Sequence, residues 1–133
     1  MVRPCFLVID REFAGSISTR KLVIETAKFN VLTAYSSAEA LETLQRFPGL
    51  DGVVMDAGMR DESCEDLVRQ MKALQPKMPV IAVSSPRGEQ CEGADYLLES
   101  FDPRKLLELL RELEPEETAA IERRNEDLED GAR

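Results

Sequence analysis

Short apolar runs alternate with helix-like segments along this chain, and this alternation restricts the possible fold more than any other feature. The runs are residues 6–9, 31–35, 53–55, 80–83 and 96–98, and all but 31–35, which contains Thr33, are free of polar side chains other than the Tyr96 hydroxyl. Continuous runs of this kind are typical of strands that are buried on both faces. Strands that alternate with helices form right-handed units around a parallel sheet. The sequence therefore predicts an α/β fold with a doubly wound, five-stranded parallel sheet.

Most segments between the apolar runs carry helix signals, with one exception. The signals occur at residues 16–29, at a capping box 36–39, at the apolar spacing of 67–74 and at the capped start of a last helix, 102–113. The exception is the stretch between the fourth and fifth runs, where Pro86, Gly88 and Gly93 interrupt the chain. We therefore predict that the fourth helix of the fold, between strands 4 and 5, is shortened or missing.

Two of the predicted strands stop on a carboxylate. The first runs into Asp10, and the third runs into Asp56 and then into the small turn that contains Gly58. Ligands of an open parallel sheet bind outside the carboxyl ends of the strands, so neighbouring strands would bring both aspartates into one pocket. Either aspartate alone fits a helix cap or a turn equally well. Two of them on adjacent strands favour a functional site.

The composition fits one soluble domain and narrows the range of partners. The chain has 133 residues, of which 43% are hydrophobic, enough for one core. No run approaches the roughly 20 apolar residues that cross a bilayer, and the start lacks a signal-peptide pattern, so we expect a cytoplasmic protein with no membrane contact. The net charge of −9 argues against direct nucleic-acid binding, because phosphate contact needs a basic face. Protein partners are expected instead.

The cysteines are read as buried thiols that pack like small apolar residues. Cys5, Cys64 and Cys91 are odd in number and widely spaced, and the chain has no histidine. Neither a disulfide framework nor a Cys/His zinc site is expected from this set.

Several motifs, taken in order, resemble the receiver domain of bacterial two-component response regulators. The motifs are Phe6-Leu7-Val8-Ile9-Asp10, Ala34-Tyr35-Ser36-Ser37-Ala38-Glu39-Ala40-Leu41, Val53-Val54-Met55-Asp56 with Met59, Pro79-Val80-Ile81-Ala82-Val83-Ser84, and Gly93-Ala94-Asp95-Tyr96-Leu97 with Phe101-Asp102-Pro103. Each motif alone is weak, but the ordered set is specific and spans residues 4–113. The resemblance implies the flavodoxin-like strand order 2-1-3-4-5, with one pocket at the strand ends.

The resemblance also implies a role for individual residues. Asp56 matches the phosphoacceptor, and Asp10 matches the first member of an acidic pair that would hold Mg²⁺ together with Asp56 and the Gly58 carbonyl. Ser84 matches the hydroxyl that senses the phosphoryl group, and Tyr96 matches the aromatic switch. Ordinary packing is the alternative interpretation of both Ser84 and Tyr96.

Two pocket positions depart from the family's pattern. Arg11 stands where the family has its second acidic residue, and Glu99 stands where it has its lysine. A guanidinium makes bidentate pairs with carboxylates and stays protonated, so Arg11 is expected within salt-bridge reach of Asp10 or Asp56. We therefore expect weak Mg²⁺ binding, a degenerate pocket and little stable phosphorylation of Asp56.

The function predicted from these features is that of a signalling module and not an enzyme. Residues 1–114 are expected to form a receiver-like domain, and residues 115–133 an acidic tail or helix extension. The module would bind a histidine kinase or a downstream effector in a phosphorelay, independently of phosphorylation. One alternative is an ordinary receiver that accepts phosphate on Asp56. A haloacid-dehalogenase-like phosphatase fits less well because its further acid, lysine and cap are not evident, and a flavin-binding flavodoxin lacks its phosphate loop here.

The last predicted helix holds more leucines than one buried stripe requires. They are residues 106, 107, 109, 110 and 113. Leu109 and Leu113 are therefore expected on an exposed side, where they would support a homodimer or partner docking.

Overall fold

Five parallel strands form the sheet of this protein. The computed structural model describes residues 4–10, 19–59, 61–84, 88–98 and 102–113. The strands are β1 (Cys5–Ile9), β2 (Asn30–Ala34), β3 (Gly52–Asp56), β4 (Val80–Val83) and β5 (Tyr96–Leu98). Their order across the sheet is β2-β1-β3-β4-β5, and every pair is parallel. The predicted α/β class and the flavodoxin-like order are confirmed.

The described helices cover both faces of the sheet. They are α1 (Thr19–Thr26), α2 (Ser37–Arg46), α3 (Cys64–Leu74) and α4 (Pro103–Leu113). Alternate residues of a strand point to opposite faces. In β1, Leu7 packs with the apolar cluster that contains α2 and α3 residues, whereas Phe6 packs with the cluster that contains α1 and α4 residues. Both faces are therefore core, which explains the continuous apolar runs.

No helix is present between β4 and β5 in the described part of that connection, which is Ser84 and residues 88–95. Gly88 and Gly93 have φ angles of 77° and 96°, in the left-handed region that favours glycine over other residues. The connection agrees with the predicted loss of the fourth helix of the fold. We refer below to residues 88–95 as the β4–β5 segment.

The helix ends follow the predicted capping signals. The Ser36 hydroxyl accepts a hydrogen bond from the Glu39 amide at 3.1 Å, and the Glu39 carboxylate accepts one from the Tyr35 amide at 3.4 Å. This is the capping box at the start of α2. At the start of α4, the Asp102 carboxylate accepts from the Arg104 amide at 2.9 Å.

The last helix buries its leucines within the molecule, which corrects one prediction. Leu109 is 9% exposed and packs with Leu106 and Leu110 in the cluster on the α1 face. Leu113 is half-buried against the same cluster. The expectation that Leu109 faces outward is wrong, because α4 contacts both the sheet and α1 and so buries a wide stripe.

A disulfide joins Cys64, the first residue of α3, to Cys91 in the β4–β5 segment. The expectation of free thiols is therefore wrong for this pair. The two cysteines are 27 residues apart in the chain, and the sheet topology brings them together. Cys5 is a free thiol, as expected. Burial, followed by the charge of Asp51, raises the pKa of the Cys5 thiol.

None of the described helices has both the length and the apolar character that crossing a membrane requires.

Candidate functional site

Three polar side chains are buried side by side at the carboxyl edge of the sheet. Asp10 follows β1 and is 2% exposed, Asp56 ends β3 and is 3% exposed, and Ser84 follows β4 and is 2% exposed. Their strands are direct neighbours: Ile9 is in register with Met55, and Asp56 with Val83. The fold therefore brings together three of the residues that the sequence identified.

The Asp56 carboxylate is oriented by its own loop. One carboxylate oxygen of Asp56 accepts a hydrogen bond from the Gly58 amide at 2.7 Å, and the Ala57 amide donates to the Val83 carbonyl at 2.9 Å. The first contact is a turn that aspartate commonly forms with the backbone two residues on. Together the two bonds fix the end of β3 against β4 and place the carboxylate at the sheet edge.

Asp10 is held from the opposite side by β2. Its amide donates to the Ala34 carbonyl at 2.9 Å, which continues the β1–β2 ladder to the end of β2. Asp10 and Asp56 are thus two buried carboxylates on adjacent strands. Buried carboxylates are stable only when hydrogen-bond donors or cations compensate their charge, and at Asp56 the Gly58 amide is one such donor.

Oxygen donors suited to Mg²⁺ are present at the same edge. Among the described residues, no group of three or more His, Cys, Asp or Glu side chains is arranged to hold a metal ion. Asp10 and Asp56 nevertheless provide two carboxylates, and Gly58 provides a backbone carbonyl. Mg²⁺ is commonly bound through one or two carboxylates together with water or phosphate oxygens. The donor set therefore fits a partial magnesium site.

Asp61 supports the pocket, and the sequence interpretation missed it. Its carboxylate accepts from the Ser37 amide at 2.7 Å and from the Ser37 hydroxyl at 3.0 Å. Ser37 is the buried first residue of α2, where a helix favours negative charge. The contact fastens the loop that follows Asp56 to α2. An acidic residue alone gave no signal, because its partner lies 24 positions away.

Ser84 and Tyr96 lie at opposite ends of the β4–β5 ladder. The Ser84 amide donates to the Leu98 carbonyl at 2.9 Å, and its hydroxyl lies 3.4 Å from the same carbonyl. Tyr96 opens β5 in register with Ile81 and is 37% exposed. Ser84 therefore belongs to the pocket edge, whereas Tyr96 lies on the surface of the edge strand.

The two departures from the family pattern, Arg11 and Glu99, lie outside the described residues. The predicted ion pair of Arg11 with Asp10 or Asp56 lies outside them as well, and so does Pro86.

A doubly wound parallel sheet with buried carboxylates at its carboxyl edge defines a class of α/β domains that bind ligands at that edge. The family model for the response regulator receiver domain matches residues 6–111 of this chain. The chain belongs to the response regulator receiver domain family.

Solved structures support the same assignment. A response regulator receiver domain protein from Clostridium thermocellum is 27% identical, with a TM-score of 0.72 over 83% of this chain and 93% of that one. A CheY-like receiver domain from Methylobacillus flagellatus is 25% identical, with a TM-score of 0.73 over 84% of this chain and 99% of that one. A CheX–CheY–BeF3–Mg²⁺ complex from Borrelia burgdorferi shares the fold at 18% identity and a TM-score of 0.70, over 84% of this chain and 90% of that one. Among curated proteins, none matches the chain.

Proposed function

We propose that this receiver domain is a degenerate one, which acts in two-component signalling by binding a protein partner without depending on phosphorylation. The observation that carries the proposal is the pair of substitutions in the sequence: Arg11 at the family's second acidic position and Glu99 at its lysine position. The phosphoacceptor position, Asp56, is retained.

The chemistry of phosphoryl transfer explains why this pair matters. A carboxylate that attacks a phosphoryl group needs cations to offset the charge that gathers around the transferring oxygens. In the family these would be a magnesium ion and a lysine. The two substitutions have opposite sign, so they move positive charge from the phosphate side of the pocket to the metal side. Arg11 then competes with Mg²⁺ for the carboxylates, and Glu99 supplies no cation to the phosphate.

The same reasoning assigns a weak magnesium site to Asp10, Asp56 and the Gly58 carbonyl. The burial of both carboxylates at adjacent strand ends supports it. A bound ion would offset the negative charge of the two carboxylates. Arg11, paired with either aspartate, would lower the affinity for that ion because it neutralises the same charge.

The output side supports a partner interaction that differs from that of an ordinary receiver. Ser84 and Tyr96 occupy the switch positions, but the described β4–β5 segment contains no helix to carry a change from one to the other. The CheX–CheY complex is an instance of this fold bound to another protein. We propose a histidine kinase or a downstream effector as the partner of this chain. Residues 1–114 would form the receiver-like domain and residues 115–133 an acidic extension. The proposed compartment is the cytoplasm.

A homodimer through the last helix stays a prediction. The burial of Leu109 removes one of the two leucines that were expected to carry it.

Mass spectrometry of the intact protein, after incubation with acetyl phosphate and Mg²⁺, tests the proposal. The wild-type chain should acquire little or no phosphoryl group. The double variant Arg11→Asp with Glu99→Lys restores the family's ligand and lysine, so its labelling should rise by about 100-fold, the order of effect that one stabilising group supplies. Asp56→Ala in the double variant is the control and should abolish that labelling.

Strong Mg²⁺-dependent labelling of the wild-type chain that is lost in Asp56→Ala would contradict the degenerate interpretation. It would establish the alternative function, an ordinary receiver that accepts phosphate on Asp56. The burial and fixed orientation of Asp56 next to Asp10 favour that alternative.

A further inference from the structure

The β4–β5 segment is joined to α3 by one covalent bond. Cys91 is bonded to Cys64, and both are buried in the cluster beneath α2 and α3, at 7% and 3% exposure. The Gly93 backbone lies against Val68, since a Cβ built on Gly93 would be 3.5 Å from the Val68 side chain. The segment thus lies on the face of the sheet that a helix would otherwise cover.

Apolar packing contributes little to this attachment. Between Gly88 and Asp95 the only apolar side chains are those of Cys91 and Ala94, and Ala94 is only half-buried. A groove of about 300 Å³ separates part of the segment from α3, lined among others by Val68 and Glu92. Hydrophobic stabilisation scales with the apolar area removed from water, so the segment gains little from contact alone.

Polar contacts hold the two ends of the segment unequally. The Glu92 amide donates to the Glu65 carboxylate at 3.4 Å, on an exposed surface. Asp95 is held far better: its carboxylate accepts from the Val80 amide at 2.7 Å and from Lys72 at 2.6 Å. The end next to β5 is therefore anchored without the disulfide, whereas at Cys91 the disulfide is the tie to α3.

We propose that the Cys64–Cys91 disulfide is a thiol–disulfide switch that closes the β4–β5 segment over α3 when oxidised and releases it when reduced. Release would uncover Val68 and the half-buried Leu97 of β5, which pack in the same cluster on this face of the sheet, and so would change the surface available to a partner. This role rests on the proposed cytoplasmic compartment, where disulfides are mostly transient or redox-sensing. The inference goes beyond the proposed function, because it is independent of the state of Asp56.

The reaction is an exchange with a low-molecular-weight thiol. Its thiolate attacks the Cys91 sulfur, the Cys64–Cys91 bond breaks, and the electron pair leaves on the Cys64 sulfur, which takes up a proton. A second thiolate attacks the mixed disulfide, which releases the Cys91 thiolate to take up a proton, while the two reductant molecules are joined as a disulfide. The protein gains two electrons and two protons in total. Because both half-cystines are buried, attack requires the segment to open first.

Hydrogen exchange measured by mass spectrometry on the full chain, oxidised and then reduced with dithiothreitol, tests the switch. Exchange at the amides of the β4–β5 segment should rise by about tenfold or more on reduction, while β1 and β3 stay protected. Cys64→Ser and Cys91→Ser should each show the fast exchange with or without reductant. Cys5→Ser is the matched control and should respond as the wild type does.

Thiol labelling in glutathione buffers provides the second measurement. The chain is first equilibrated in a glutathione buffer and then labelled with a thiol reagent in denaturant. After equilibration in an oxidised buffer only Cys5 should be labelled. After equilibration in a predominantly reduced buffer Cys64 and Cys91 should be labelled as well. The switch is overturned if the segment's exchange is unchanged by reduction, or if β1 and β3 lose protection together with it. It is also overturned if the pair stays oxidised in reduced glutathione, since the bond would then be a permanent cross-link, or if the bond is absent from the oxidised protein.

Discussion

The centre of the sheet and its β5 edge are stabilised by different means. All residues of β3 and β4 are buried, and β1 is buried except for Cys5 at its start. In contrast, β5 has three residues, of which Tyr96 is exposed and the other two are half-buried. The centre is stabilised by full burial on both faces, whereas the edge combines its pairing with β4 and two half-buried leucines with a disulfide and the contacts of one aspartate.

The candidate pocket and the cross-linked segment lie in these two different regions of the sheet. The pocket residues Asp10, Asp56 and Ser84 stand on the central strands, whose positions are determined by a continuous core. The described part of the β4–β5 connection lies at the edge, where it is a cross-linked segment without a helix. A packed core tolerates little rearrangement, whereas a segment at the edge of a sheet can open locally without disturbing the core. We therefore expect the edge to open more readily than the centre.

The largest expected effect compares an apolar residue in each region. Ile81 in β4 is 1% exposed, so Ile81→Ala should lower the free energy of unfolding by about 2–5 kcal/mol, the cost of lost burial and a cavity. Leu97→Ala removes a similar volume from half-buried β5 and should cost about 1 kcal/mol. Urea denaturation of the oxidised protein measures both. Equal losses would mean that the edge is packed as tightly as the centre.

The next effect concerns the disulfide. A cross-link between residues 27 positions apart lowers the conformational entropy of the unfolded chain. Reduction, or Cys91→Ser, should therefore lower the free energy of unfolding by about 2–4 kcal/mol. The free energy of unfolding of a small domain is typically about 5–15 kcal/mol, so the protein should stay folded after this loss. Cys5→Ser should change the denaturation midpoint very little in comparison. A reduced protein as stable as the oxidised one would remove the main support for an edge that depends on its cross-link.

The central strands and the last helix could be predicted because their signals are local. Strand β4, strand β5 and helix α4 have the predicted bounds, since each apolar run is delimited by proline, glycine or a cap. Strand β3 extends one residue beyond the prediction at each end. The position of Asp10 and Asp56 followed from strand ends alone, whereas Ser84 was assigned to the pocket through the family resemblance. Leu109 was misplaced because helical spacing does not show how many neighbours a helix will have.

The remaining contacts depend on tertiary structure. The Cys64–Cys91 bond requires two Cα atoms 5.5 Å apart, a distance that the spacing of the cysteines does not reveal. The same holds for Asp61, whose partner Ser37 is brought to it by the order of β1, β2 and β3. These contacts stabilise loops, and loops are where sequence periodicity carries no information.

The smallest expected effect separates the two contacts of Asp95. Asp95→Ala removes the acceptor of the Val80 amide together with the ion pair to Lys72, and should cost about 1–2 kcal/mol, mostly because a backbone donor loses its partner. Asp95→Asn keeps an oxygen for Val80 and removes only the charge. The Lys72 and Asp95 side chains are 25% and 39% exposed, and ion pairs at partly exposed sites contribute about 0–1 kcal/mol.

Glu42→Gln is the matched control for charge removal, because Glu42 pairs with Arg46 on the exposed face of α2 and should change stability hardly at all. Urea denaturation at low and high salt distinguishes the ion pair from the hydrogen bond to Val80. The loss of unfolding free energy in Asp95→Ala should persist in high salt, whereas any loss in Asp95→Asn should diminish. If Asp95→Asn cost as much as Asp95→Ala, the ion pair and not the Val80 contact would hold β5. The edge would then weaken with ionic strength, which the packed centre should not do.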